Sequence, residues 1–597
     1  MQAIWLVLLV LATFSVAYLT YSRYLAQFVE LDDAREAPAH KYEDGQEYVP
    51  AKKPVLLGHH YSSIAGGAPI VGPITAGVWW GWVPALLWVA IGNPLMGAVH
   101  DFVSLSGSLR HEGKSIGYII GQYVGDRGKN MLLWFAFLTI ILVVAVFALV
   151  VAIVFNAYPS AATASIIYIA LAFLFGIYLY QLNLPFIPGT VAFVAAVFAG
   201  VWVGIQYPLT LASGKVAPAF LPTIAGSANI SVWVPVIIIY AFLASVLPVW
   251  MLLQPRDYLS SFLLYTGVGG TLLAVIVGTF VAADPSKLEI SIHAWNGFMA
   301  GSFAKPLFPL LFVTIACGTI SGFHSLVSSG TTAKQLNRET DARLIGYGGM
   351  LGEGLLATTA LVTLGVAGIT VSGGGIGQAL PNFATGGGII LSTVGLPEAY
   401  GAPFMALVLV SFLLTSTDTA VRLGRYMLEE IIGTPETSVQ ETFANKYVNA
   451  GTQGVLAFVL VSSGTWGDLW PLFGGANQLL AALALLTATV WLANWDRSKQ
   501  LISTGVPMAI MTIITVTALL YLALYQNLYL KFVLGQWGTP DTPVTLVEQL
   551  SVGVQIVIAL ILVYLGVSLV RMGYQNMNKA RSETGAAVTD GGTTDDD

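Results

Sequence analysis

The chain has 597 residues, with 25 Lys and Arg against 31 Asp and Glu, giving a formal net charge of −6. Charged residues make up 9% and hydrophobic residues 56%, with a mean hydropathy of +0.76, whereas an ordinary soluble domain carries about 25% charged residues. These values exclude a disordered chain, a collagen-like repeat and a string of soluble domains. They leave no basic surface for nucleic acid, and a single cysteine, Cys317, excludes an intrachain disulfide framework or a Cys-rich metal centre.

What remains is an all-α, polytopic helical membrane protein. A helix needs roughly 20 mostly apolar residues to cross a bilayer. Fifteen segments fit that template: 2–24, 56–80, 83–108, 131–157, 163–181, 185–207, 231–252, 259–283, 304–332, 344–371, 400–430, 448–463, 471–493, 504–526 and 545–571. The first lacks a positive leader and a small-residue cleavage site, so 1–24 reads as an anchor helix and not a signal peptide. A loop over 25–55 follows, then a core over 56–500, two C-terminal spans over 501–571, and an acidic tail over 572–597 that reads as disordered. Within 111–130 the sequence predicts a short amphipathic cytoplasmic helix.

Basic residues concentrate in alternate loops, with Arg35, Lys41, Lys52 and Lys53 before the second span and Arg110, Lys114, Arg127 and Lys129 after the third. Segments 158–162 and 372–399 hold none. This bias predicts the N-terminus outside and the C-terminus in the cytoplasm, in the plasma membrane with lipid as surroundings. A re-entrant piece around 386–395 would leave the alternation intact. Nothing in the sequence sets an oligomeric state.

The chain carries 63 Gly and 27 Pro, many inside spans. Irregular backbone at membrane depth is tolerated only where it is buried in protein or lines a polar cavity. The segment Gly58–Pro73 (GHHYSSIAGGAPIVGP) therefore predicts an interrupted helix, and the hydroxyl-rich segment 318–332 predicts a second unwound or kinked one. Their polar and flexible residues, Ser62, Ser63, Gly66, Gly67, Ser325, Ser328 and Ser329, are candidate substrate contacts. Asn477 and Gln478 suit either a substrate or a neighbouring helix. An offset of 264 pairs Gly58 with Gly322, His60 with His324 and Gly66 with Gly330. Seven spans separate the two helix starts, so the helices run in opposite directions, as in inverted repeats, although His60 lies early in its helix and His324 late.

Ionisable groups inside spans are costly and read as functional. Asp418, in Thr415-Ser416-Thr417-Asp418, offers oxygen ligands to a coupling cation or a site for a proton. The competing reading is a structural carboxylate paired with Arg422 or Arg425. Glu353, flanked by Gly352 and Gly354, is a proton carrier or a buried partner for a base. His60 and His324 belong with Asp418, Thr415, Thr417 and Glu353 as coupling candidates, because imidazole titrates near neutral pH. His59, His60 and His100, with His324, form a weaker metal or haem set for a redox protein. His59 and His60 diverge by about 100° on a regular helix, and no haem- or zinc-binding signature is present. No resident cofactor is expected beyond a coupling H+ or Na+. His100 and Asp101 with Arg110 and His111 read as an interfacial ion-pair cluster, and Arg256-Asp257 after Pro255 as a tight cytoplasmic turn. A nucleotide-binding loop is absent, so neither an ATP-driven pump nor an enzyme is indicated.

Five blocks together resemble the carbon starvation protein A family: Gly58–Pro73, Gly92–Phe102 (GNPLMGAVHDF), Leu253–Tyr258 (LQPRDY), Gly322–Gln335 (GFHSLVSSGTTAKQ) and Leu469–Leu480 (LWPLFGGANQLL). The resemblance spans about residues 55–500. It implies an inner-membrane secondary transporter linked to peptide uptake, with close relatives that take up pyruvate with protons, and a leucine-transporter-like inverted-repeat core. It also implies a role in the response to carbon starvation. A nutrient sensor is the remaining alternative.

Overall fold

The computed structural model describes residues 1–45, 47–248, 250–300, 305–367, 376–462, 466–494, 500–537 and 544–590. Apart from a two-residue strand pair, Met299–Ala300 with Lys305–Pro306, its regular structure there is helical. Twelve helices are long and apolar enough to cross a membrane among the described residues.

In chain order, α1 covers Ile4–Val29. Two half-helices follow, α2 (Lys53–Ile64) and α3 (Ala68–Trp80). Next come α4 (Trp82–Arg110), the short α5 (Ile116–Val124), α6 (Asp126–Ala157), α7 (Pro159–Gln181), α8 (Phe186–Gln206), α9 (Ala228–Val246) and α10 (Leu253–Val281). A second interrupted pair is α11 (Leu307–Thr314) and α12 (Gly322–Val327), the latter running into a wide π turn over Ser328–Thr332. The other long helices are α13 (Glu339–Ala367), α14 (Ile376–Ser392), α15 (Glu398–Ile432), α16 (Lys446–Ser462), α17 (Trp466–Ala493), α18 (Leu501–Val533) and α19 (Leu546–Asp590).

The structure departs from fifteen single spans in specific ways. Segments 56–80 and 304–332 are each two half-helices, and 448–463 is the 17-residue α16. The expected external loop 372–399 contains α14, a buried helix packed on α13, α15 and α3. The helix expected to begin at 259 begins at Leu253, so Arg256 and Asp257 lie inside α10 and are fully buried, not in a turn. Pro255 permits this because it is the third residue of the helix, where a backbone N–H has no intrahelical partner to lose. Helix α19 continues to Asp590, so residues 572–590 of the expected disordered tail are helical, and 591–597 lie outside the described residues. Extending a helix already nucleated in the membrane adds one bond per residue fixed, which is far easier than starting one.

Burial separates centre from rim. The most apolar stretches of α6, α15 and α17 are 94%, 94% and 100% buried, against 22% for α8 and 28% for α1, whose outward faces are exposed. Around α6 and α15, helices α9 and α16 pack so that each of the four touches the other three. The half-helices lie against this bundle. Helix α2 packs on α10, α13 and α15, and α12 packs on α17 and α4.

Candidate functional site

The first interruption follows from its residues. Helix α2 ends at Ile64, Ala65 leaves the helical region, and Gly67 is the N-cap of α3, with Pro69 in its first turn, where the missing N–H costs nothing. The break is tightly enclosed. A β-carbon placed on Gly66 would lie 2.8 Å from the Phe147 ring of α6, and one on Gly67 2.7 Å from Leu413 Cδ2 of α15 and 3.2 Å from Val150. Gly67→Leu is therefore expected to cost about 1–3 kcal/mol in overpacking and to depress transport, checked by initial uptake rate normalised to membrane-inserted protein.

At the second interruption, Asn477 and Gln478 of α17 hydrogen-bond to the freed backbone, while Gln478 Oε1 is buried without a partner among protein atoms. Asn477 Oδ1 accepts from the Phe323 amide at 2.9 Å, and its Nδ2 donates to Ser321 Oγ at 2.9 Å and to Cys317 Sγ at 3.3 Å. Gln478 Nε2 donates to the Phe312 carbonyl at 2.8 Å. Asn93, not singled out from the sequence, donates to the carbonyls of Gly318 at 3.1 Å and Met350 at 2.9 Å. Its signal was an amide side chain inside an otherwise apolar span.

The serines divide. Ser325 and Ser329 donate to the carbonyls of Gly322 and Ser325, and Ser62 to that of Asp257. Ser63 Oγ and Ser328 Oγ are fully buried with no hydrogen-bond partner among protein atoms, which leaves them, of the five candidate serines, with hydroxyls free to meet a bound molecule.

Two charged clusters flank the breaks. In the first, Asp418 of α15 receives both terminal nitrogens of Arg256, through a close Nη1–Oδ2 contact and an Nη2–Oδ1 bond of 3.1 Å. Arg256 also bonds Asp257 Oδ1 at 2.8 Å and the Tyr240 hydroxyl at 2.8 Å. The other oxygen of Asp257 meets His59 Nδ1 of α2 at 2.7 Å, and His59 Nε2 lies 3.3 Å from the Gln335 amide nitrogen. All four ionisable side chains are buried. Neither Arg422 nor Arg425 is the partner of Asp418. Their guanidinium groups donate to the Ala244, Leu247 and Ser245 carbonyls instead. Thr415 and Thr417 donate to the Ser411 and Leu413 carbonyls of their own helix.

In the second cluster, Asp101 of α4 accepts from His100 Nδ1 at 2.7 Å and from His324 Nδ1 of α12 at 2.9 Å. His324 Nε2 stands 3.2 Å from Glu353 Oε2 of α13, an ion-pair distance whose angle makes no hydrogen bond. One oxygen, nitrogen or sulfur from each of Cys317, His324 and Glu353 falls within 4.8 Å of the others. Asp101 is thus buried with histidines and not at an interface with Arg110, which pairs with Glu339 at 2.9 Å, while His111 Nδ1 bonds the Gly107 carbonyl. His59, His60 and His100 do not share a centre: their ring nitrogens face Asp257, Thr332 and Asp101 respectively. The redox reading of the histidines is not favoured.

The offset of 264 aligns residues of α2, before a break, with residues of α12, after one. His60 and His324 are therefore neighbours of the site and not repeat equivalents.

Near the first cluster a cleft is lined by Glu47, Lys334, Tyr426 and Arg422. Glu47, from the loop after α1, meets Lys334 Nζ at 2.8 Å. Burial alone would raise its carboxyl, but the Lys334 ammonium outweighs this and holds it below the usual glutamate range.

Interrupted helices packed on a central bundle, with buried charges beside both breaks, define a polytopic membrane transport protein. The chain belongs to the carbon starvation protein CstA family, whose profile matches residues 2–373 and 369–518. It is 34% identical over 589 residues to the peptide transporter CstA of Helicobacter pylori, covering 86% of this chain and 81% of that one. It is 33% identical over 600 residues to the pyruvate/proton symporter BtsT of Escherichia coli, covering 87% and 81%. Among solved structures, a variant of a manganese transporter from Eremococcus coleocola superposes with a TM-score of 0.48 at 13% identity, covering 89% of this chain and 99% of that one.

Proposed function

We propose that this protein is a secondary carrier, not an enzyme, which imports peptides or pyruvate-like acids together with protons. The carboxylate common to both substrate classes is held at the first break by the N-terminal end of α3 and by Ser63, with Ser328 on the facing helix. A helix N-terminus favours negative charge through its exposed amides and its dipole.

The observation that carries the coupling is the cluster of His59, Asp257, Arg256 and Asp418. One guanidinium faces two carboxylates, so the set holds one uncompensated negative charge while His59 is neutral. Uncompensated charge in a low-dielectric interior is costly, and a proton on His59 removes it. Because His59 sits one turn before the end of α2, its protonation acts directly on the half-helix that borders the substrate. The space beside Asp418, where a sodium ion would bind, is filled by a tethered guanidinium, which favours protons over sodium.

The packing supports an inverted repeat, with α2/α3, α4, α6, α9 and α10 related to α11/α12, α13, α15, α16 and α17. The contacts α6–α9 and α9–α15 have counterparts in α15–α16 and α16–α6. The loop charges favour an outside N-terminus and a cytoplasmic C-terminus.

Uptake of labelled pyruvate and of a dipeptide into proteoliposomes tests this reading. An inward proton gradient is expected to drive accumulation of at least one of them, and His59→Gln to keep exchange but lose accumulation. No uptake of either class under proton or sodium gradients sinks the reading, and accumulation driven by sodium alone sinks its proton part.

A further inference from the structure

We propose that Cys317, His324 and Glu353 form a binding site for a thiophilic divalent cation, zinc above all. The three residues come from the unwound stretch between α11 and α12, from α12 and from α13, and their donor atoms fall within 4.8 Å of one another. A tetrahedral zinc site has ligand-to-ligand edges of about 3.3–3.8 Å, so small side-chain rotations close the set. His324 Nε2 and Glu353 Oε2 are already 3.2 Å apart.

Unused valence points into the site. Both Glu353 oxygens and His324 Nε2 are fully buried without a hydrogen-bond partner among protein atoms, a costly state that a cation relieves. The surroundings have the form that metal ligands require. A ligating histidine characteristically gives its other ring nitrogen to a carboxylate, which fixes its orientation, and His324 Nδ1 lies 2.9 Å from Asp101, itself held by His100. Asn477 Nδ2 donates to Cys317 Sγ at 3.3 Å, a bond that steadies a thiolate.

The donor chemistry selects the ion. Sulfur, imidazole nitrogen and one carboxylate suit zinc and disfavour magnesium or calcium, which take oxygen ligands. A thiolate and a carboxylate together balance the double positive charge, with the cysteine proton released on binding. Three protein ligands leave a fourth position open to water. A bound ion ties the unwound stretch and α12 to α13 and so arrests the half-helix. That consequence for transport rests on the proposed function, whereas binding itself does not.

Cobalt titration of the purified full-length protein tests the site, because Cys317 is the chain's one cysteine and a thiolate-to-cobalt charge-transfer band therefore reports it alone. The three side chains are sealed from solvent, so the protein is incubated with cobalt for hours before the spectrum is read. One equivalent of cobalt is expected to give the band, zinc to abolish it, and Cys317→Ser to lack it. Zinc-edge X-ray absorption of the wild type is expected to show one sulfur in the first shell, a readout that needs no variant. Absence of the band together with absence of a sulfur ligand overturns the site, as does equal cobalt binding by a folded Cys317→Ser protein. Zinc inhibition of uptake that Cys317→Ser relieves supports the arrest. Neither spectrum depends on transport, so failure of the site and failure of the carrier reading are told apart.

Discussion

Asp418→Asn is expected to uncouple transport from the proton gradient while exchange of substrate persists. In the wild type Arg256 faces Asp257 and Asp418 together, and in the proposed mechanism a proton on His59 completes the balance. With Asn at 418 the guanidinium and Asp257 balance each other without that proton, so the variant resembles the protonated state at every pH. Gradient-driven accumulation should fall about tenfold or more, within the 5–150-fold range that a coupling free energy of about 1–3 kcal/mol represents. Counterflow at equal pH on both sides should stay within a few-fold of wild type. A variant that still concentrates substrate with normal pH dependence would assign Asp418 to structure alone. The substitution also weakens the pairing of a buried guanidinium. Asp257 and Tyr240 remain as partners, so the stability loss should sit near or below the lower end of the 3–5 kcal/mol typical of a broken buried pair, about 3 kcal/mol.

Arg256→Met is expected to be the more damaging change to the fold. It strips the only guanidinium from two carboxylates that are 0% and 1% exposed, leaving uncompensated charges in the interior at a cost of about 3–5 kcal/mol. Low membrane yield and a lowered melting temperature in detergent are the readouts. Combining it with Asp418→Leu should recover much of that loss, because replacing a buried ion pair by apolar residues of similar size is often close to neutral. Asp257 would keep His59 as its partner. The double variant should fold yet fail to accumulate substrate, which separates stability from coupling. If the two losses simply add, the residues are not energetically paired and the cluster described above is wrong.

Much of this site was legible from sequence, in a characteristic way. The breaks at Ala65–Gly67 and before Gly322 were visible because Gly and Pro act on the backbone where they stand. Asp418, Glu353 and His324 stood out because so few charges interrupt the spans. Arg256 was hidden for a local reason: Pro255 suggests a turn, and only the position of Pro255 within the first helical turn makes it compatible with α10. Asp101 was assigned to the wrong neighbours because Arg110 and His111 are near it in sequence, whereas His324 lies 223 positions away. The tail over 572–590 was misjudged because its polar composition carries no sign of the membrane helix from which it extends.

The sequence by itself determined the class of protein, the approximate position of its spans and the places where two of them break. Hydropathy and backbone flexibility are properties of short stretches and need no knowledge of neighbours. Only the tertiary structure decided which charge meets which. Asp418 and Arg256 are 162 positions apart, and Cys317, His324 and Glu353 converge from three separate elements. Those pairings depend on the rotation of each helix about its axis and on its depth in the bundle, both set by side-chain packing between helices. A span of twenty apolar residues constrains neither quantity.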